Sequence, residues 1–301
     1  MPAILDLMKL VVLNADDFGL DPAINAAVAR AHTDGLLTSA SLVIGAAHAA
    51  EAVEFARRHP GLGVGIHLVL VDELPKDSPW RVPSLACANG SLSTGPLALS
   101  VALSFSRAAE RAVASEVRAQ IERFLATGLK PTHLDAHMHA HLHPRALRIV
   151  ANMAGEYRIC YVRAPVEPLR CAGIKGLARW GIFAAGGRYA RRRLRRLGVD
   201  TADRCIGVVG PGQLTEPLLS RCLSELPDGL TEVFFHPATE TSPQLARRQP
   251  GFRHAEELQA LLSPQLRQII DSHDIRLTNF RELSEGHRPT GCHFDITKTI
   301  N

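Results

Sequence analysis

Carboxylates and histidines gather in four places along this chain, each at the end of an apolar run. The first is Asn14-Ala15-Asp16-Asp17-Phe18-Gly19, directly after Leu10 to Leu13. The second is Gly65-Ile66-His67-Leu68, and the fourth is Val233-Phe234-Phe235-His236-Pro237. The third runs from Thr132 to Pro144 and holds His133, Asp135, His137, His139, His141 and His143, a dense share of the 14 histidines. If extended, that run sets His133, Asp135, His137, His139 and His141 on one face. Borderline divalent ions such as Zn²⁺ favour imidazole nitrogen with a carboxylate, and a catalytic site keeps one position open for water. Strand ends supplying Asp, His and His make such a site. Each cluster also has a plainer reading: a turn with a helix cap, hydrogen-bonded structural histidines, or a surface histidine run. A histidine ending a very apolar strand, as His236 does, suits a general acid.

Two neighbouring carboxylates at a strand's C-terminal end stand where barrel enzymes keep their chemistry, so the elements matter. Short β-rich runs alternate with longer helical patterns, the signature of repeated βα units. Strands are expected near Lys9 to Asn14, Ser39 to Val43, Leu62 to Leu68, Thr132 to Asp135, Ile159 to Val162, Glu232 to Phe235 and Ile275 to Leu277. Helices are expected over Pro22 to Thr33, Ala46 to Arg58, Arg107 to Thr127, Pro144 to Gly155, Glu216 to Leu226 and His254 to Ser272. The fold class that follows is α/β, a distorted (β/α) TIM-like barrel with a largely parallel sheet. A single domain spans 1–301, with an irregular excursion over 71–104 rich in Pro, Gly and Ser.

A hydrophobic content of 46% with 21% charged residues is that of a globular protein, and a formal charge of +4 does not imply general nucleic-acid binding. The six cysteines form no CxxC or regular framework and no secretory signal opens the chain, which points to a reducing cytoplasm. No apolar segment reaches the roughly 20 residues that span a bilayer. Basic residues crowd into 187–198 (GRYARRRLRRLG), part of a basic amphipathic stretch over about 174–198. That composition suits either a solvated helix or one lying at an anionic membrane surface; the aromatic interleaving of a base-stacking platform is missing, so no nucleic acid is expected.

In their order, NADDFG, GIHL, HLDAHMHAH and FHPA resemble the YdjC-like carbohydrate deacetylase family, which includes chitooligosaccharide deacetylases, over about 9–283. The overall likeness is to its hopanoid-biosynthesis branch. The resemblance implies one divalent metal ion, Zn or Mg, and hydrolysis of the N-acetyl group of a glucosamine unit. Carried over, Asp17, His67 and His137 match the metal ligands, Asp16 the catalytic base and His236 the general acid. Arg163, in Val162-Arg163-Ala164-Pro165, matches an arginine that orients Asp16. The family also points to a homodimer. The other members of the histidine run are expected around the ligands rather than among them. The basic stretch departs from the chitooligosaccharide branch, which turns the expected substrate toward a hopanoid-linked acetylglucosamine. Soluble chitooligosaccharides, a metal-dependent phosphoesterase and a non-catalytic sugar-binding regulator are the alternatives.

Overall fold

A computed structural model describes residues 8–71, 95–172 and 176–286. Most of the expected excursion over 71–104, the start of the basic stretch at 173–175 and the segment after residue 286 lie outside the described residues.

The chain alternates strand and helix: β1 (Lys9–Phe18), α1 (Pro22–Thr33), β2 (Ser39–Leu42), α2 (Ala49–Arg58), β3 (Gly63–Leu68), α3 (Pro96–Phe105), α4 (Arg107–Ala126) and β4 (His133–Ala136). After a 3-10 turn (His137–Leu142) come α5 (Pro144–Glu156), β5 (Tyr161–Val162), α6 (Leu169–Ala172), α7 (Leu177–Arg196), β6 (Arg204–Ile206), α8 (Glu216–Ser224) and β7 (Gly229–Phe235). The last elements are α9 (Pro243–Arg248), α10 (His254–Leu261), α11 (Pro264–Ser272), β8 (Ile275–Leu277) and α12 (Phe280–Gly286). Among the described residues no helix is long and apolar enough to cross a membrane.

All strand pairs are parallel, in the order β5-β4-β3-β2-β1-β7-β6. β1 is the hub. Its Leu10–Leu13 run is buried because a parallel strand is covered on both faces. One edge takes β7 from Lys9 to Ala15; the other is shared by β8 at Lys9–Val11 and β2 from Asn14 onward. The sheet curls until its ends approach; among the described residues the bridge Tyr161–Asp200, a bond from Cys205 N to Val166 O (3.0 Å) and bonds from Gly207 N (2.9 Å) and Val209 N (2.7 Å) to the Glu167 carboxylate join them. This is the expected distorted barrel, open along most of one seam.

Four local expectations need correction. The excursion expected to be irregular over 71–104 ends in a helix, α3, which Pro96 opens at a position where its missing N–H costs no bond. The helix expected over His254 to Ser272 is two helices: Ser263 accepts from Leu266 N (3.1 Å), capping α11, and Pro264 has no N–H to continue α10. β6 escapes the sequence pattern because three residues, one of them arginine, carry no alternation. The alternation drawn through the histidine run stops at Ala136, where Met138 and His139 take positive φ (52° and 53°) and the chain turns.

Candidate active site

Register brings the clusters together. Pairing of β3 with β4 sets His67 opposite Asp135, and pairing of β1 with β7 sets Ala15 opposite Phe235, so Asp16 and His236 emerge side by side. Consecutive residues of a regular strand point to opposite faces, which would separate Asp16 from Asp17. The β1–β2 register shifts between Ala15 and Phe18, and Asp17 sits at φ 63°. A bulge with a left-handed residue re-aims side chains, and such strain gathers at functional sites. Here it turns both carboxylates to the sheet's C-terminal mouth. Bonds from Leu20 N to Asp17 O (3.0 Å) and from Gln249 Nε2 to Asp17 Oδ2 (2.6 Å) hold the arrangement.

Asp17 Oδ1 lies 3.4 Å from His67 Nε2 and 3.5 Å from His137 Nδ1, and those two nitrogens are 3.4 Å apart. A tetrahedral ion with bonds of about 2.0–2.1 Å holds its ligands about 3.3–3.4 Å apart, so this triangle could seat one. His67 Nδ1 faces Asp135 Oδ1 at 2.8 Å; donating there, the ring keeps Nε2 as the ligand atom. Asp135 also accepts from Ser41 Oγ (2.7 Å). That hydroxyl has one proton to give, so His133 Nε2, 2.9 Å away, donates to it. Gly65 makes room for this chain, since a Cβ there would stand 2.4 Å from the His133 ring.

Arg163 ties the rest. Its Nη1 and Nη2 clasp Asp16 (both 2.7 Å), Nη2 also reaches Asp135 Oδ2 (2.7 Å), and Nε meets Glu232 Oε1 (2.8 Å). The guanidinium lies 4.4 Å from the centre of the Phe234 ring. Asp16 Oδ1 takes a further bond from Asn14 Nδ2 (2.8 Å). His236 receives its orientation from Glu257, whose carboxylate accepts the backbone N–H of His236 (2.5 Å) and of Leu214 (2.9 Å). The His236 ring packs 4.8 Å from Phe252.

Burial and charge set the ionisation. Burial would raise the Asp17 carboxyl, but the His137 hydrogen bond and the positive charge of His67 outweigh it and hold it well below the usual range. Burial likewise opposes a charged His67, yet Asp135, Asp16 and Asp17 push its pKa up to about 9. His236 is pulled down to about 4, mainly by burial, with Asp17 and Asp16 pulling the other way. Burial lifts Glu232 to about 7 despite Arg163.

All six residues singled out from sequence, Asp16, Asp17, His67, His137, Arg163 and His236, meet at one place. Asp16, His67, His137 and His236 line a cavity of about 550 Å³ whose walls include Met138, Phe183, Phe234 and Phe252. His139 lines it too, while buried His141 lies 2.8 Å from Arg163 O. Sequence reasoning missed Ser41, Glu232, Gln249 and Glu257. For Glu232 a signal exists, a carboxylate inside an apolar strand; for Gln249 we find none.

The chain matches the YdjC-like protein family over residues 10–272. It is 33% identical to a carbohydrate deacetylase of Brevibacillus brevis over 277 residues, covering 92% of this chain and 100% of that one. A carbohydrate deacetylase of Geobacillus stearothermophilus is 32% identical over 275 residues, covering 91% and 98%. Among solved structures, an Enterococcus faecalis V583 protein described as a cellobiose-phosphate cleavage protein shares the fold at a TM-score of 0.73 and 23% identity, covering 92% of this chain and 99% of that one. The match along nearly the whole domain and the two deacetylase relatives, each covered over almost its full length, place the chain in the YdjC-like family.

Proposed function

We propose that this protein is a carbohydrate deacetylase that uses one divalent metal ion to remove the N-acetyl group from an N-acetylglucosaminyl substrate, releasing acetate. The observation that carries the reading is the Asp17–His67–His137 triangle facing the cavity that Asp16 and His236 also line. Two imidazoles, one carboxylate and donor spacings of 3.4–3.5 Å favour Zn²⁺ over Mg²⁺, which prefers oxygen ligands in an octahedron with edges of about 3.0 Å.

An amide needs an activated water, a stabilised oxyanion and a protonated leaving amine. Bound at Asp17, His67 and His137, the ion supplies Lewis acidity toward water and the acetyl carbonyl. Asp16 takes the proton of the attacking water. Its Oδ2 accepts from Arg163 Nη1 and keeps a lone pair for this. Arg163 holds that carboxylate in place and Asp135 holds the ligand ring of His67. His236 protonates the departing nitrogen as the C–N bond breaks. Burial keeps its ring neutral at rest, so the proton it delivers is the one that Asp16 took from the water, passed to the ring as negative charge develops beside it.

The sugar is read as hopanoid-linked and the protein as cytoplasmic, at the inner face of the membrane, with the arginines of α7 attracted to anionic lipid; a homodimer belongs to the same reading. A two-metal phosphoesterase fits less well. The second carboxylate and histidine group, Asp16 with His67 and Asp135, has both carboxylates on Arg163, where a second cation would meet the guanidinium. Acetate release from an N-acetylglucosaminyl hopanoid and from chitobiose tests the reading. Release should need metal and vanish in His137→Ala, and the preferred substrate decides the branch. No release from either by folded, metal-loaded protein would sink it.

A pH dependence follows. Metal needs a neutral His67, whereas the metal-free ring titrates near 9 against an ordinary 6.5, so loading at pH 7 should expel about one proton. Affinity should climb about ten-fold per pH unit up to about 9. Without metal, the raised pKa stabilises the fold below pH 6.5, and this is lost as pH rises through about 9. Calorimetric titration in two buffers of different ionisation enthalpy counts the protons; a count of zero at pH 7 contradicts the assignment.

A further inference from the structure

Two helices that the chemistry leaves unused border the cavity. α3 and the first half of α7 both pack on the turn His137–Leu142, and both contribute to its walls, Pro96 and Ser100 from one, Arg179 and Phe183 from the other. Around this mouth, large apolar side chains face outward: Leu97 is 78% exposed, Phe105 88% and Ile182 74%, with Val101, Met138 and Leu177 about half exposed. Soluble monomers seldom gather such residues in one region unless something covers them.

Charge identifies the cover. α3 (PLALSVALSF) carries no charged residue, and α7 (LARWGIFAAGGRYARRRLRR) carries seven arginines and no acidic one. Arg188, Arg192, Arg195 and Arg196 lie on the same exposed stripe of α7 as Ile182 and Tyr189. Of these four, only Arg195 has an acidic partner among the described residues, Asp203 at 2.8 Å. A second copy meeting this face about a two-fold axis would set arginine against arginine. Apolar side chains beside unneutralised guanidiniums match the acyl boundary and anionic headgroups of a bilayer.

We propose that the mouth of the cavity docks on an anionic lipid surface, with α3 and the start of α7 dipping into the interface and the α7 arginines meeting headgroups. The site then opens toward the bilayer, where an amphipathic glycolipid presents its sugar. This deepens the deacetylase reading and rests on it for what happens to that sugar; the docking itself is measured without turnover.

Sedimentation of the full chain with vesicles of phosphatidylcholine, with and without phosphatidylglycerol, tests it. Wild type should bind the anionic vesicles at least about ten-fold more tightly than the neutral ones and weaken at high salt. The combined variant Leu97→Asp, Phe105→Asp, Ile182→Asp should lose about ten-fold or more on anionic vesicles. Arg188→Gln, Arg192→Gln, Arg196→Gln should lose on the order of a hundred-fold, together with most of the salt dependence. Three outcomes overturn the proposal: no vesicle binding by wild type, full binding by the aspartate variant, or light scattering that shows a dimer which those aspartates dissociate. Both variants should release acetate from chitobiose like wild type. Vesicle binding without any acetate release would count against the deacetylase reading and leave the docking standing.

Discussion

Asp16→Asn should lower kcat by about 10² to 10⁴-fold while the protein stays folded and keeps its metal. The amide occupies the same space between Arg163 and Asn14 and its oxygen still accepts from both, while the NH2 that replaces Oδ2 gives up the bond from Arg163 Nη1, so packing is conserved at the cost of one hydrogen bond. What disappears is the group that takes the water's proton. Asp17→Asn removes a ligand charge instead, and its expected signature is lost metal content. The contrast separates the two adjacent carboxylates, which composition cannot tell apart. Metal analysis and steady-state kinetics on the same preparations decide it. Near-normal turnover of metal-loaded Asp16→Asn would remove Asp16 as the base.

The second large effect is on stability. Arg163→Met should destabilise the fold by about 3–5 kcal/mol, because it leaves Asp16, Asp135 and Glu232 buried without the cation they share. All three carboxylates are at most 2% exposed, so water cannot replace the guanidinium. Arg163→Lys should recover only part of the loss, since a single ammonium cannot span three partners as the planar fork does. The deficit should also depend on pH. Burial raises Glu232 to about 7 from an ordinary 4.5, so its ionisation costs stability as pH climbs through that value. With Arg163 gone the cost grows, and the gap between variant and wild type should widen from pH 6 to pH 8. Urea unfolding midpoints at the two pH values measure it. An unchanged midpoint in Arg163→Met would show that the cluster does not depend on its arginine.

Much of the fold was legible because its signals are local. An apolar run ending in a polar cluster reads as a buried parallel strand whether or not its neighbours are known, as at β1, β3 and β7, and of the eight strands among the described residues seven coincide with an expected segment. Five strand ends, those of β1, β3, β4, β5 and β7, carry the six residues of the candidate site, and their order is itself a property of the chain. Short or interrupted elements were not legible. β6 is too brief to show a period, and the break between α10 and α11 rests on one proline within a continuous helical pattern.

The chain by itself thus determined which residue types arrive at the mouth of a parallel sheet, and that histidines and carboxylates arrive together. Only the tertiary structure decided how they divide the work. The bulge at Asp17 turns neighbouring carboxylates in one direction, against the alternation a strand would impose. The bond from Arg163 to Asp16 spans 147 residues, and the one from Gln249 to Asp17 spans 232. Likewise the turn after Ala136 leaves His137 in the triangle and sends His141 toward the Arg163 carbonyl. Periodicity is a short-range property of the backbone, so it reports where a side chain starts. Which partner it meets depends on register and curl between strands far apart in sequence, and those are set by packing across the whole barrel.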